Sequence, residues 1–210
     1  IKFKVGGCIT LATPLTAKSL VTIAGETAPA PGITLLDGGS YRALEIDCHD
    51  FIVRHIRFRG FTGEGIQIWG GQNNIIDRCS VTGSGDGAID MNTGGHFIIS
   101  RCLFGGCVEV HKAHCTYVSA HHSLYAWNNR RQPRVFEGGP YWDFRNNLVE
   151  YWTGSAANIL SSVAVNIVNN YWGPPGPLAS WSSAIFITGT TDPNTVYTNG
   201  NYCAGFNVDS

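Results

Sequence analysis

The 210 residues, 43% of them hydrophobic, suffice for one domain with a continuous core. A formal net charge of −1 gives no electrostatic case for nucleic acid or an anionic membrane, since both need a basic surplus or stripe. No apolar run approaches the roughly 20 residues that span a bilayer, so the chain reads as soluble.

The predicted elements are short β-branched runs separated by Gly, Asn, Asp and Ser turns. In chain order they include "VTIA" from Val21, "GITLL" from Gly32, "LEI" from Leu44 and "FIVRHIRF" from Phe51. "IQI" from Ile66, "NIIDRCSV" from Asn74, "IDM" from Ile89, "HFIISRCLF" from His96 and "VEV" from Val108 follow. Alternation within the three-letter runs predicts that Glu45, Gln67, Asp90 and Glu109 point outward. The turns are too short for crossover helices.

A four-residue phrase recurs along the same stretch: "HIRF", "RCSV", "RCLF", "HSLY", "NNLV" and "NNYW". The phrases start at His55, Arg78, Arg101, His122, Asn146 and Asn169, nearly evenly spaced, the step from Arg101 to His122 being the shortest. A period in the twenties means stacked units, each too small to bury its own apolar face. The fold class expected is all-β: a right-handed single-stranded parallel β-helix, with an antiparallel sandwich as the weaker alternative because sandwiches need hairpins. Asn146, Asn147, Asn169 and Asn170 are expected to form Asn ladders. The repeat runs to about residue 172, "GPPGP" from Gly173 breaks it, and "SSAIFITG" is expected to add a coil before an irregular covering from Thr190 to Ser210. The whole, 1–210, is read as one domain.

Seven cysteines, low charge and abundant Gly, Asn, Ser and Thr favour a secreted protein. Cys107 and Cys115 bracket a loop and are disulfide candidates, whereas Cys79 and Cys102 share a repeat position and read as small core residues. His111, His114, His121 and His122 read as packing and turn groups, because no acidic residue completes a zinc set with them. Trp69, Trp127, Tyr141, Trp142, Trp152 and Trp172 fall near strand ends, read as corner packing ahead of sugar stacking.

Five segments, "IKFKVGGCITL", "VTIAGETAPAPGITL", "FIVRHIRFRG", "NIIDRCSV" and "HHSLYAWNNRRQPRV", resemble in order signature segments of the pectate lyase family of polysaccharide lyases. The resemblance covers about residues 1 to 172. It implies a groove beside one parallel sheet that binds acidic pectic polymers, such as homogalacturonan, and cleaves them by calcium-assisted β-elimination. Asp86 and Asp90 match the family's paired acidic calcium ligands, and Glu64 sits where another acidic ligand is found, with Thr62 replacing a further one. Arg131 in "RRQPR" matches the family's catalytic arginine, Arg134 is expected to clamp a substrate carboxylate, and Lys112 looks like the family's substrate-binding lysine. The residues alone argue only for an anion clamp at the arginines.

The second reading is a non-catalytic carbohydrate-binding or structural β-helix. Uncapped solenoid ends expose sheet edges, so end-to-end self-association belongs to that reading.

Overall fold

The computed structural model describes residues 1–136, 141–160, 163–177, 179, 184–188 and 196–204. Its strands fall into three parallel sheets, and the chain visits them in rotation, one strand per sheet per coil. The first sheet begins with Gly7–Leu11, Ile33–Asp37 and Ile56–Arg59, the second with Leu15–Thr16, Leu44–Asp47 and Ile66–Gly70, the third with Thr22–Ala24, Ile52–Arg54 and Ile75–Asp77. This is a parallel β-helix. Every strand pairs with its counterpart one coil away, as the fixed period requires.

Each coil holds three strands rather than the two read from the sequence, because runs such as "FIVRHIRF" bend in the middle. Ile52–Arg54 ends and Ile56–Arg59 begins on either side of His55, whose φ is 56°. The same left-handed backbone recurs coil by coil at Arg78, Arg101, His122, Asn146 and Asn169. These six residues are the first letters of the repeated phrase. A left-handed residue turns the chain sharply from the third sheet into the first.

The remaining letters follow from that bend. The fourth letters, Phe58, Val81, Phe104, Tyr125, Val149 and Trp172, pair in register and stack along the core, all but fully buried. The third letters alternate outward, leaving Leu103, Leu148 and Tyr171 exposed. From Cys79 onward the second letters satisfy backbone groups that the bend takes out of the sheet, whereas the first, Ile56, is an apolar core residue. Asn170 Oδ1 accepts from the Asn147 amide at 2.9 Å, Asn147 Oδ1 from the Ser123 amide at 2.9 Å, and Ser123 Oγ from the Cys102 amide at 3.0 Å. On the other side, Asn147 Nδ2 donates to the Ala120 carbonyl at 3.0 Å. Asn147 and Asn170 therefore form the expected ladder, which extends to Asn201, whose side chain accepts from the Asn170 amide at 3.0 Å, whereas Asn146 and Asn169 take the left-handed bend.

The cysteines belong to the same scheme. Cys79 and Cys102 occupy the second-letter position, and their thiols lie 3.7 and 3.6 Å from the carbonyls of Val53 and Ile76, the role that the asparagine amide plays in later coils. Cys107 does likewise at another turn, with its amide held by Asn128 Oδ1 at 2.9 Å and its thiol on the Val81 carbonyl. The expected pairing of Cys107 with Cys115 is not formed: both are free and buried. They face into the packed interior, so their spacing around a loop was misleading. Burial pushes the Cys79 and Cys115 thiols up to about 12.

Trp142, Trp152 and Trp172 are core residues, while Trp69, Trp127 and Tyr141 are exposed. The segment expected as irregular covering contributes Val196–Asn199 to the third sheet and Tyr202–Cys203 to the first; residues 190–195 and 205–210 lie outside the described residues. Ile185–Thr188 adds the further strand to the second sheet.

Candidate active site

The second sheet concentrates the charge. Its register aligns Glu45, Gln67, Asp90, Lys112, Arg134, Asn158 and Phe186, one residue per coil, in a single file. At a strand spacing of about 4.8 Å the file passes from acid through base to neutral and aromatic groups within a few coils. Asp90, Lys112 and Arg134 are immediate neighbours in it. Glu109 is not a member: "VEV" is displaced along the strand, Glu109 pairing with Gly87 and Lys112 with Asp90. The alternation rule failed there because the strand runs Glu109–Ala113, so "VEV" straddles its start instead of lying within it.

Asp90 is buried, only 3% exposed, and its Oδ1 has no hydrogen-bond partner. Burial pushes its carboxyl up to about 7, with Asp86 and Glu64 adding to the rise, Lys112 opposing it and Glu109 adding again. The tight approach depends on Gly87, where a Cβ would collide with the Asp90 carboxylate. Asp86 lies on the neighbouring turn, its amide donating to the Gly63 carbonyl at 3.3 Å, which puts Asp86 one coil beyond the turn that carries Glu64, as the repeat requires. Glu64 is engaged elsewhere: Arg42 Nε donates to its Oε2 at 2.6 Å, and the Arg42 guanidinium also lies over the rings of Tyr41 and Trp69. Thr62, in place of a further acid, receives Asp37 from the preceding coil, whose Oδ2 accepts from the Thr62 amide at 3.1 Å.

Among the described residues no three His, Cys, Asp or Glu side chains stand together as a preformed metal cage. The donor set nevertheless suits a hard cation. An orphaned buried carboxylate oxygen, crowded by further carboxylates, is relieved by positive charge, and all the donors are oxygen, as calcium requires. Asp86 and Asp90 would hold it, with Glu64 recruited from Arg42.

On the basic side, Arg131 and Arg130 both pair with Glu109, the latter through Arg130 Nη2 to Oε1 at 3.0 Å. Arg131 is itself in the left-handed region, at φ 64°, and its backbone is fixed from both sides, donating to the Ser155 carbonyl and accepting from the His111 amide. Desolvation draws its guanidinium below the ordinary arginine range; Glu109 opposes this and Arg134 and Arg130 reinforce it. Arg134 stacks on Phe136, and its buried Nε has no partner. These arginines, with Ser155, Asn158 and Phe186, line a cavity of about 370 Å³. A larger groove of about 770 Å³ lies on the third sheet, lined by Tyr117, Tyr141, Trp142 and Tyr197. It lacks the arginines and shares no residue with the file, whereas Arg134, Asn158 and Phe186 of the file line the smaller cavity, which is therefore the candidate site.

His111 is a packing residue, as expected: it is fully buried, its Nε2 is 3.0 Å from the Tyr125 hydroxyl, and burial lowers it to about 3. Sequence reasoning missed the partnerships of Glu109 and Arg42. The signal was the period itself, since Arg42 precedes Glu64 by one coil and Arg131 follows Glu109 by one coil.

No protein-family model matches the chain. It is 30% identical over 216 residues to a probable pectate lyase C of Aspergillus terreus, covering 96% of this chain and 47% of that protein. A probable pectate lyase C of Emericella nidulans is 30% identical over 212 residues, covering 96% and 46%. The chain thus spans about half the length of these relatives. The crystal structure of a pectate lyase from a Bacillus species in complex with trigalacturonate superimposes with a TM-score of 0.55 at 18% identity, covering 90% of this chain and 74% of that one. The Bacillus structure shares the parallel β-helix fold, and over nearly its whole length the chain is similar in sequence to the Aspergillus and Emericella probable pectate lyases.

Proposed function

We propose that the chain is a polysaccharide lyase that cleaves polygalacturonate by calcium-assisted β-elimination, and that it works outside the cell. The observation that carries this reading is the file Asp90, Lys112, Arg134, in which a carboxylate able to share a cation adjoins two cations able to take uronate carboxylates. In this reaction the proton on C5 of a uronate leaves, the C4–O bond breaks, a C4–C5 double bond forms and the departing oxygen gains a proton. Stabilising the negative charge that develops on the uronate carboxylate is the main demand on the enzyme. Calcium held by Asp86 and Asp90, with Glu64, would supply positive charge against that carboxylate. Lys112 and Arg134 hold neighbouring carboxylates, and the unpartnered Arg134 Nε is a donor in waiting. Arg131 takes the C5 proton; its lowered proton affinity supports this role, since an ordinary arginine is always protonated.

The test is formation of unsaturated, ultraviolet-absorbing uronides from polygalacturonate, with added calcium or with chelator. Product is expected only with calcium, and Arg131→Ala should lose at least about 100-fold in kcat while retaining the fold by circular dichroism. No product from neutral to alkaline pH would overturn the lyase. Binding of trigalacturonate without turnover would then point to the carbohydrate-binding β-helix, and a concentration-dependent rise in particle size to its self-associating form.

A further inference from the structure

Among the described residues around Asp90, Glu109 is the carboxylate that neither the acidic file nor the proposed cation site uses. It lies at the start of strand Glu109–Ala113, with its side chain 4% exposed. Its backbone is fixed on one side, the amide donating to the Asp86 carbonyl at 3.0 Å. Both carboxylate oxygens are occupied: Oε1 accepts from Arg130 Nε at 3.1 Å and Nη2 at 3.0 Å, while Oε2 accepts from Arg131 Nη1. A buried carboxylate on a rigid strand, with two arginines from the following coil converging on it, is a fork with a fixed handle.

Resting on the lyase reading, we propose that Glu109 is a positioning residue for the reaction, aiming the Arg131 guanidinium at the uronate bound beside Asp90. Arg131 needs such a holder for two reasons. Its side chain is long and flexible, and free rotation would spread the guanidinium over positions useless to C5. Its neighbours Arg130 and Arg134 also repel it, and without an opposing charge they would drive it away from the cavity they share. Glu109 anchors Arg130 by the same carboxylate, so the like charges are held apart at set distances. It acts on Asp90 only through charge, while both its carboxylate oxygens are bonded to Arg130 and Arg131, so its effect on geometry passes through Arg131.

The experiment uses Glu109→Gln, which keeps the size and removes the charge, and Glu109→Asp, which keeps the charge but withdraws it by one methylene. Glu109→Gln is expected to lower kcat about 10- to 100-fold while KM for polygalacturonate changes less than about twofold. Glu109→Asp should fall between Glu109→Gln and wild type. Calcium affinity by calorimetry should stay within about threefold of wild type, since Glu109 is not a cation ligand in this scheme. A crystal structure of Glu109→Gln should show the Arg131 guanidinium displaced. Wild-type kcat in Glu109→Gln, or Arg131 unmoved in that structure, would overturn the proposal while leaving the lyase intact. Loss of product in every variant, wild type included, would overturn the lyase, and the crystal structure would still judge the fork. Should Glu109→Gln fail to fold, the same kinetic and crystallographic comparison of Glu109→Asp with wild type decides: unchanged kcat or an unmoved Arg131 overturns the proposal.

Discussion

Asp90 concentrates the electrostatic cost of the site in one residue. Its carboxyl is raised from 3.8 to about 7 by burial and by the carboxylates around it, so the folded state holds a proton there that the unfolded chain releases. The sign follows directly: this group contributes stability in full below about pH 4, and the contribution is lost as pH rises through about 7. In the presence of chelator, thermal unfolding should therefore show a fall in Tm across about pH 4 to 7 that Asp90→Asn removes, leaving that variant more stable than wild type above about pH 7. Equal slopes for the two proteins would contradict it. The residues of the site were legible in sequence to different depths for a physical reason. Asp86, Asp90, Arg131 and Arg134 sit in short recognisable segments, whereas the pairings of Arg42 with Glu64 and of Arg131 with Glu109 cross between coils. Local pattern does not display a partner one coil away unless the period is used as a ruler.

The coil is the element in which sequence and structure agree letter by letter. Each phrase encodes a left-handed bend, an outward residue and an inward stacker, and from Cys79 onward also a side chain that satisfies orphaned amides or carbonyls. The period was legible because all four constraints recur at once; the third strand per coil was hidden because the bend at His55 or Arg101 carries no glycine or proline to mark it. The second letter explains why Cys, Ser and Asn interchange there, since each offers a short polar group to the same backbone atoms. Asn147 serves both sides, accepting from the Ser123 amide and donating to the Ala120 carbonyl, and it is 3% exposed. Asn147→Ala should cost about 1–3 kcal/mol, since buried backbone groups are left unsatisfied. Asn147→Ser should cost less, because Ser123 already fills the equivalent position one coil earlier. Urea denaturation of the two variants measures the difference, and equal midpoints would show that the side-chain bonds contribute nothing.

At the scale of the molecule, stability comes from one unbroken column. Phe58, Val81, Phe104, Tyr125, Val149 and Trp172 run through six coils, and each coil buries its apolar face only against its neighbours. Buried thiols report on that column without being engineered. Cys79, Cys102, Cys107 and Cys115 are enclosed, whereas Cys8 is exposed. Burial raises all four enclosed thiols, so almost none of their population is the nucleophilic thiolate at neutral pH. Iodoacetamide followed by peptide mass spectrometry should label Cys8 in the native protein at a rate typical of an exposed thiol. The four enclosed thiols should wait for unfolding and then react together, because a coil cannot open to reagent while both neighbours remain stacked on it. If Cys115 reacted well before Cys79 and Cys102, the column would have a weak joint at the coil carrying Lys112. That coil falls within the shortest step of the repeat, from Arg101 to His122, where the shortfall in chain length must be absorbed by the turns. A common labelling rate would show that the turns absorb it without loosening the core, and that the file from Asp90 to Arg134 stands on as firm a base as the rest of the solenoid.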